Sequence, residues 1–267
     1  MNRRLKKFIL IVLNVILTIY LLMAITSFNN PKETHPICSE VKINIEDETT
    51  NGFLSKDEVK IILEKNRLYP DKKKMINVNP RDIEDCLKAS PFVNTAQCYK
   101  TGDGKVFIGI TQRLPIVRIK NQRGDDYYLD DHGGIMPNSK YTSDLIIATG
   151  NINAWYAKNY LVYLAIELMN DDFWKNQIVQ INILPDLGVE LVPRVGEHVV
   201  YIGQLPYAND KIKRKELIKE FIRNKTERLE MFYKYGLNKA GWNKYYYINI
   251  EFDNQIICKK KVHDKII

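Results

Sequence analysis

With 267 residues, 45% hydrophobic and 27% charged, the chain carries enough apolar material for one large core or two small ones, which excludes wholesale disorder. Its formal net charge of +8 would suit a nucleic-acid partner, but the first thirty residues argue against one.

Arg3, Arg4, Lys6 and Lys7 precede an apolar run from Phe8 to Ile25 that is broken only by Asn14 and Thr18. A helix over that run is about 27 Å long, close to a bilayer core of roughly 30 Å. The basic flank predicts a cytoplasmic tail at 1–7, a transmembrane anchor at 8–27 and a linker at 28–40, with everything later across the membrane from DNA. A cleaved signal peptide is the rival reading; the run is longer than a usual signal core, and "MAITSFNN" offers no A-x-A site. Cys38, Cys86, Cys98 and Cys258 are widely spaced without a C-x-x-C pair, so they read as small buried hydrophobes, with disulfide pairing left open.

"VKINIE" alternates as a strand from Val41. Ser55 and Glu58 then form a capping box for a helix, with Leu54 placed to staple onto Val59. Asn79 and Pro80 start a second helix, with Val78 facing Ile83. "FVNTAQCYK" and "KVFIGITQR" read as a hairpin through the turn "TGDG". Residues 41–113 are therefore expected as a β-α-α-β-β module.

From Leu114 strands dominate. "IVRIK", "YYLD" and "DLIIATGNI" come before a helix through "AWYAKNYLVYLAIELMN", and "QIVQINIL", "GVELVP" and "HVVYIG" follow it. A long helix is predicted over about 209–235. Its apolar stripe holds Leu217, Ile218, Phe221, Ile222, Leu229, Phe232 and Tyr233, and its basic residues, Arg214 among them, read as a solvated face. In the closing strand, Tyr246, Ile248, Ile250 and Phe252 are expected on the core side, with Tyr245, Tyr247, Asn249 and Glu251 opposite. The strand-rich region runs over 114–258, and 259–267 is a basic tail.

"YYLDDHGGIMP" (127–137) is the one stretch that looks like chemistry. Asp130, Asp131 and His132 are consecutive, so along a strand at most Asp130 and His132 could share an ion. Gly133 and Gly134 suit a reversal, and the turn is the stronger reading. With no nucleophile elbow, P-loop or zincin spacing either, the expectation is no enzyme, no metal and no cofactor.

The order of elements resembles the bacterial FtsQ (DivIB) family of cell-division proteins, whose first extracytoplasmic module is a POTRA domain. Arg113 and Pro115 match its R-x-P segment; Tyr128, Leu129, Asp130, Gly133, Ile135 and Pro137 match its strand-and-turn motif. "DLIIATG" is similar to its "LPVLTG", with Ile146 in place of the proline. Lys225, Phe232, Tyr233, Gly241, Trp242, Tyr245, Ile248, Asn254, Gln255 and Cys258 resemble the Bacteroidota branch. The segment 204–224 looks longer than the family needs, which leaves the start of the long helix open.

The resemblance implies an α+β fold: a single N-terminal transmembrane helix, a POTRA module, then a mixed β-rich domain with a long C-terminal helix and a terminal strand. It implies a non-enzymatic divisome scaffold in the inner membrane at the septum, body in the periplasm, linking early and late division proteins. The implied partners are FtsB- and FtsL-like bitopic coiled-coil proteins and the septal peptidoglycan synthase complex; the lipid bilayer holds the anchor, and no nucleic acid is expected. Docking is expected by strand addition at the edge of the β-domain. The residues assigned to it are Tyr245, Tyr247, Asn249, Ile250, Glu251, Phe252, Gln255 and Ile257. Recruitment through the POTRA module is placed around Phe53, Ser55 and Glu58. The competing classes are a membrane-anchored cell-wall hydrolase and a POTRA-type secretion or assembly factor, for whose barrel the chain is too short.

Overall fold

The protein is seen here as a computed structural model that describes residues 3–28, 36–46, 53–138 and 145–261. Helix α1 (Arg3–Phe28) contains Lys6–Ile25, which among the described residues is the one helix long and apolar enough to cross a membrane. Most of the linker that follows and the last residues of the basic tail lie outside the described residues.

The first globular unit is built from β1 (Glu40–Ile45), α2 (Lys56–Lys65), α3 (Pro80–Lys88), β2 (Val93–Lys100) and β3 (Lys105–Gln112). β3 is central, parallel to β1 and antiparallel to β2. Both helix starts follow from sequence. Ser55 and Glu58 close the capping box of α2, and the Asn79 side chain accepts from Arg81 N, with Pro80 in the first turn of α3. The inward residues of β3 (Val106, Ile108, Ile110) share a core with Val59, Leu63, Ile83 and Leu87. Full burial of each leucine is worth roughly 2 kcal/mol.

The second unit is a nine-stranded mixed sheet. Its strands are β4 (Pro115–Asn121), β5 (Asp126–Asp130), β6 (Ile135–Pro137), β7 (Ile146–Gly150), β8 (Ile178–Ile183), β9 (Gly188–Pro193), β10 (Val199–Gln204), β11 (Tyr245–Asn249) and β12 (Ile257–Lys260). The spatial order is β12-β11-β10-β9-β8-β7-β4-β5-β6. After β7, α4 (Ala154–Tyr156) continues through a π-turn at Ala157–Leu161 into α5 (Val162–Asn170), and α6 (Trp174–Gln177) precedes β8. Helix α7 (Lys211–Phe232) runs through a second π-turn (Tyr233–Leu237) into α8 (Asn238–Ala240). α5 and α7 pack on each other, and Leu164, Leu168, Ile218, Ile222 and Leu229 join Ile119, Ile181, Leu191, Val200 and Ile248 in one core.

Three expectations are corrected. Arg214 is not solvated: it is 5% exposed, donates to the Asn159 carbonyl and side chain and to the Ala208 carbonyl, and lies over the Tyr160 ring. An arginine fork satisfied this way binds the start of α7 to α4–α5. The closing strand is not one strand but two, β11 and β12, joined through residues 250–256 as an antiparallel hairpin. Its faces also differ: the β11–β12 register shifts between Tyr245 and Tyr247, so Tyr245 packs on the core while Tyr246 is exposed. Ile248 and Ile250 do point inward, whereas Phe252 lies in the connecting loop and is exposed.

Candidate functional site

The "DDHGG" stretch forms a hydrogen-bonded turn before β6. Asp130 Oδ1 accepts from His132 N (3.0 Å) and Gly134 N (2.6 Å), and its Oδ2 pairs with Arg113 (Nε 2.8 Å, Nη2 2.8 Å). Gly133 has φ +77°, and a Cβ there would lie 3.2 Å from the Lys158 carbonyl, so glycine alone fits without strain. Asp131 and His132 bond to each other at 2.7 Å and face solvent. The expectation that at most Asp130 and His132 could share an ion is corrected, because the turn brings one ligand atom each of Asp130, Asp131 and His132 within 4.8 Å of one another; a cation on Asp130 Oδ2 would compete with Arg113.

Arg113 also reaches back to the first unit, donating from Nη1 to the Pro91 carbonyl (2.8 Å), while its backbone N–H donates to the Phe92 carbonyl. Beside it, Phe53 meets Tyr128 edge-on (5.0 Å between centroids) and stacks on Phe92; Met136 and Leu145 complete this small cluster. The expectation that Phe53 faces a recruiting partner is therefore corrected: Phe53 is 2% exposed in the seam between the two units. Ser55 and Glu58 are engaged with each other in the α2 cap.

The sheet ends at β6 on one side and β12 on the other. β6 has three residues and finishes in Pro137, which has no N–H to donate. β12 has four non-proline residues and, among the described residues, pairs on one side only, with β11. β11, in contrast, lies between β10 and β12, so the expectation that Tyr245–Asn249 form the open ribbon is corrected.

Around that edge the assigned residues divide. Ile257 is 44% and Phe252 47% exposed, and Glu251 and Gln255 lie in the same loop. Ile250 is fully enclosed and cannot touch a partner without unfolding. Tyr247 stacks on Tyr201 with Lys259 over its ring, and burial, with nearby Glu190, pushes its hydroxyl pKa up to about 12. Asn249 accepts from Glu251 N and shapes the exit from β11. The expectation missed the shelf next to the loop, where Met231 and Tyr235 are more than half exposed beside Ile256. Met231 lies on α7 and Tyr235 in the π-turn that continues it, and their neighbourhood depends on the hairpin turn.

Residues 36–111 match the family model of the POTRA-like domain. Residues 114–259, more than half of the chain, match that described as FtsQ/DivIB, C-terminal related. The chain belongs to the FtsQ/DivIB family. No curated protein is detectably similar to it in sequence. The family is one of non-enzymatic scaffolds of cell division, and the matched domains imply for this chain a scaffold role with divisome interactions. The apolar helix α1 fits a single-pass membrane protein of the division septum.

Proposed function

We propose that the chain links early and late division proteins by accepting a strand from a single-pass coiled-coil partner, FtsB- or FtsL-like, on the outer side of β12. The same assembly would hold the septal peptidoglycan synthase complex, with the N-terminus of α1 in the cytoplasm and the body in the periplasm, as the basic residues before the span favour. What carries this reading is the outer side of Ile257–Lys260, which no strand among the described residues pairs, at the end of a nine-stranded sheet. A strand added there gains main-chain hydrogen bonds, and the exposed Ile257, Phe252 and Tyr246 offer apolar and aromatic contacts that select among partners. Lys259 and Lys260 keep two copies from pairing through the same edge, because like charges would face each other.

The test is capture of the full chain, in detergent, by the FtsB- and FtsL-like proteins of the same genome. Ile257→Asp places a charge on the edge without touching the core and is expected to weaken capture about tenfold or more with an unchanged melting temperature. Undiminished capture would remove β12 from the interface.

A further inference from the structure

The loop that presents the edge strand is held by two cations of helix α7. Residues 250–256 connect β11 to β12 and are bonded outside helix α7 at three N–H groups: Ile250 N donates to the Tyr201 carbonyl (2.9 Å), Glu251 N to Asn249 Oδ1 (2.8 Å), and Gln255 N to the Phe252 carbonyl at 3.5 Å. Their carbonyls turn instead toward α7. Lys225 Nζ donates to the Glu251 carbonyl (2.6 Å) and to Asp253 Oδ1 (3.1 Å). Arg228 donates from Nη1 to the Ile250 carbonyl (3.3 Å), and from Nη2 to those of Phe252 (2.7 Å) and Gln255 (3.2 Å). Three residues apart on a helix, the two side chains share one face.

Lys225 is only 4% exposed. An ammonium taken that far from water is tolerated only when its donors are used, and here two oxygens and the Phe221 ring (5.2 Å) surround it. An apolar side chain could fill the same space, so packing does not account for the charge; the loop's bonding does. The loop is also bound from the sheet side, where Gly203 (φ +93°) leaves room for the Glu251 side chain, whose Cγ a Cβ at Gly203 would meet at 3.2 Å.

We propose that Lys225 and Arg228 are positioning residues: without reaching the partner's strand, they fix residues 250–256 so that β12 stands ready as a template before docking. The idea rests on the strand-addition reading above. Left to itself, a seven-residue loop whose middle, 252–255, is exposed at a sheet end opens readily, and a partner would then have to order it on binding.

The test uses the full chain in detergent, as wild type, Lys225→Met, Arg228→Ala and the conservative Lys225→Arg. Amide exchange of the free protein is read alongside affinity for the same coiled-coil proteins. In Lys225→Met and Arg228→Ala, amides of 250–260 are expected to exchange about tenfold faster, those of β8, β9 and the POTRA-like unit unchanged, and the partner to bind about tenfold more weakly. Lys225→Arg should recover both readouts in large part. Arg228 is partly exposed, so its variant remains informative if Lys225→Met fails to fold. Unchanged exchange at 250–260 would overturn the clamp; faster exchange with undiminished affinity would overturn its role in docking. If the wild-type chain captures neither coiled-coil protein, strand addition itself fails, and with it the docking role, while exchange still decides whether the clamp exists.

Discussion

The two oxygens of Asp130 divide their work, one closing the turn before β6 and the other holding Arg113, whose Nη1 reaches the Pro91 carbonyl. Asp130→Ala leaves a partly buried guanidinium and two turn N–H groups without their acceptor, and is expected to lower stability to denaturant by about 3 kcal/mol. A second titratable group sits deeper. His198 is 2% exposed and bonds through Nε2 to the Tyr233 hydroxyl (2.8 Å), and burial, with nearby Lys261, pulls its pKa below the usual 6.5. Because the folded state resists the proton that the unfolded chain accepts, stability present above about pH 6.5 falls as the pH drops through that value toward the lower folded one. Melting temperatures from pH 7.5 to 5.0 should therefore decline more steeply for wild type than for His198→Gln. Parallel curves would show that His198 does not titrate on unfolding.

At the level of elements, the C-terminal hairpin separates what sequence makes legible from what it does not. The apolar alternation of "YYYINIEF" shows a strand and places Ile248 and Ile250 inside, as found. It cannot show where the strand ends, because the turn is held by Lys225 and Arg228 from a helix more than twenty residues earlier. Nor can it show the bulge that brings Tyr245 inward and turns Tyr246 out. The same limit applies to Arg214, which reads as surface until α4 and α5 supply Asn159. The helix caps at Ser55 and Asn79 are local hydrogen bonds and were readable directly. Ile250→Asp should accordingly act on the fold: about 4 kcal/mol lost in urea unfolding, with partner capture falling only as the folded fraction falls. A variant that melts like wild type yet loses capture would return Ile250 to the interface.

Across the whole molecule, the seam of Phe53, Phe92, Tyr128 and Met136, with Arg113 beside it, ties the POTRA-like unit to the nine-stranded sheet. Phe53→Ala empties the centre of that cluster and should lower stability by about 3 kcal/mol. Paired with Arg113→Ala, it should split a single thermal transition into two, as the units lose their shared contacts. The order of modules was legible because each carries its own caps and alternation. The seam was not, since Phe53 looks like an ordinary staple until Tyr128 is brought against it. The proposed strand addition predicts which edge of the sheet meets the partner. Photo-reactive amino acids placed singly at Ile257, Lys259 and Ile135 of the full chain, irradiated in cells that express the coiled-coil partners, test this most directly. Crosslinks to a coiled-coil protein from Ile257 and Lys259, with none from Ile135, are predicted. Crosslinks from Ile135 while Ile257 and Lys259 stay silent would contradict the account.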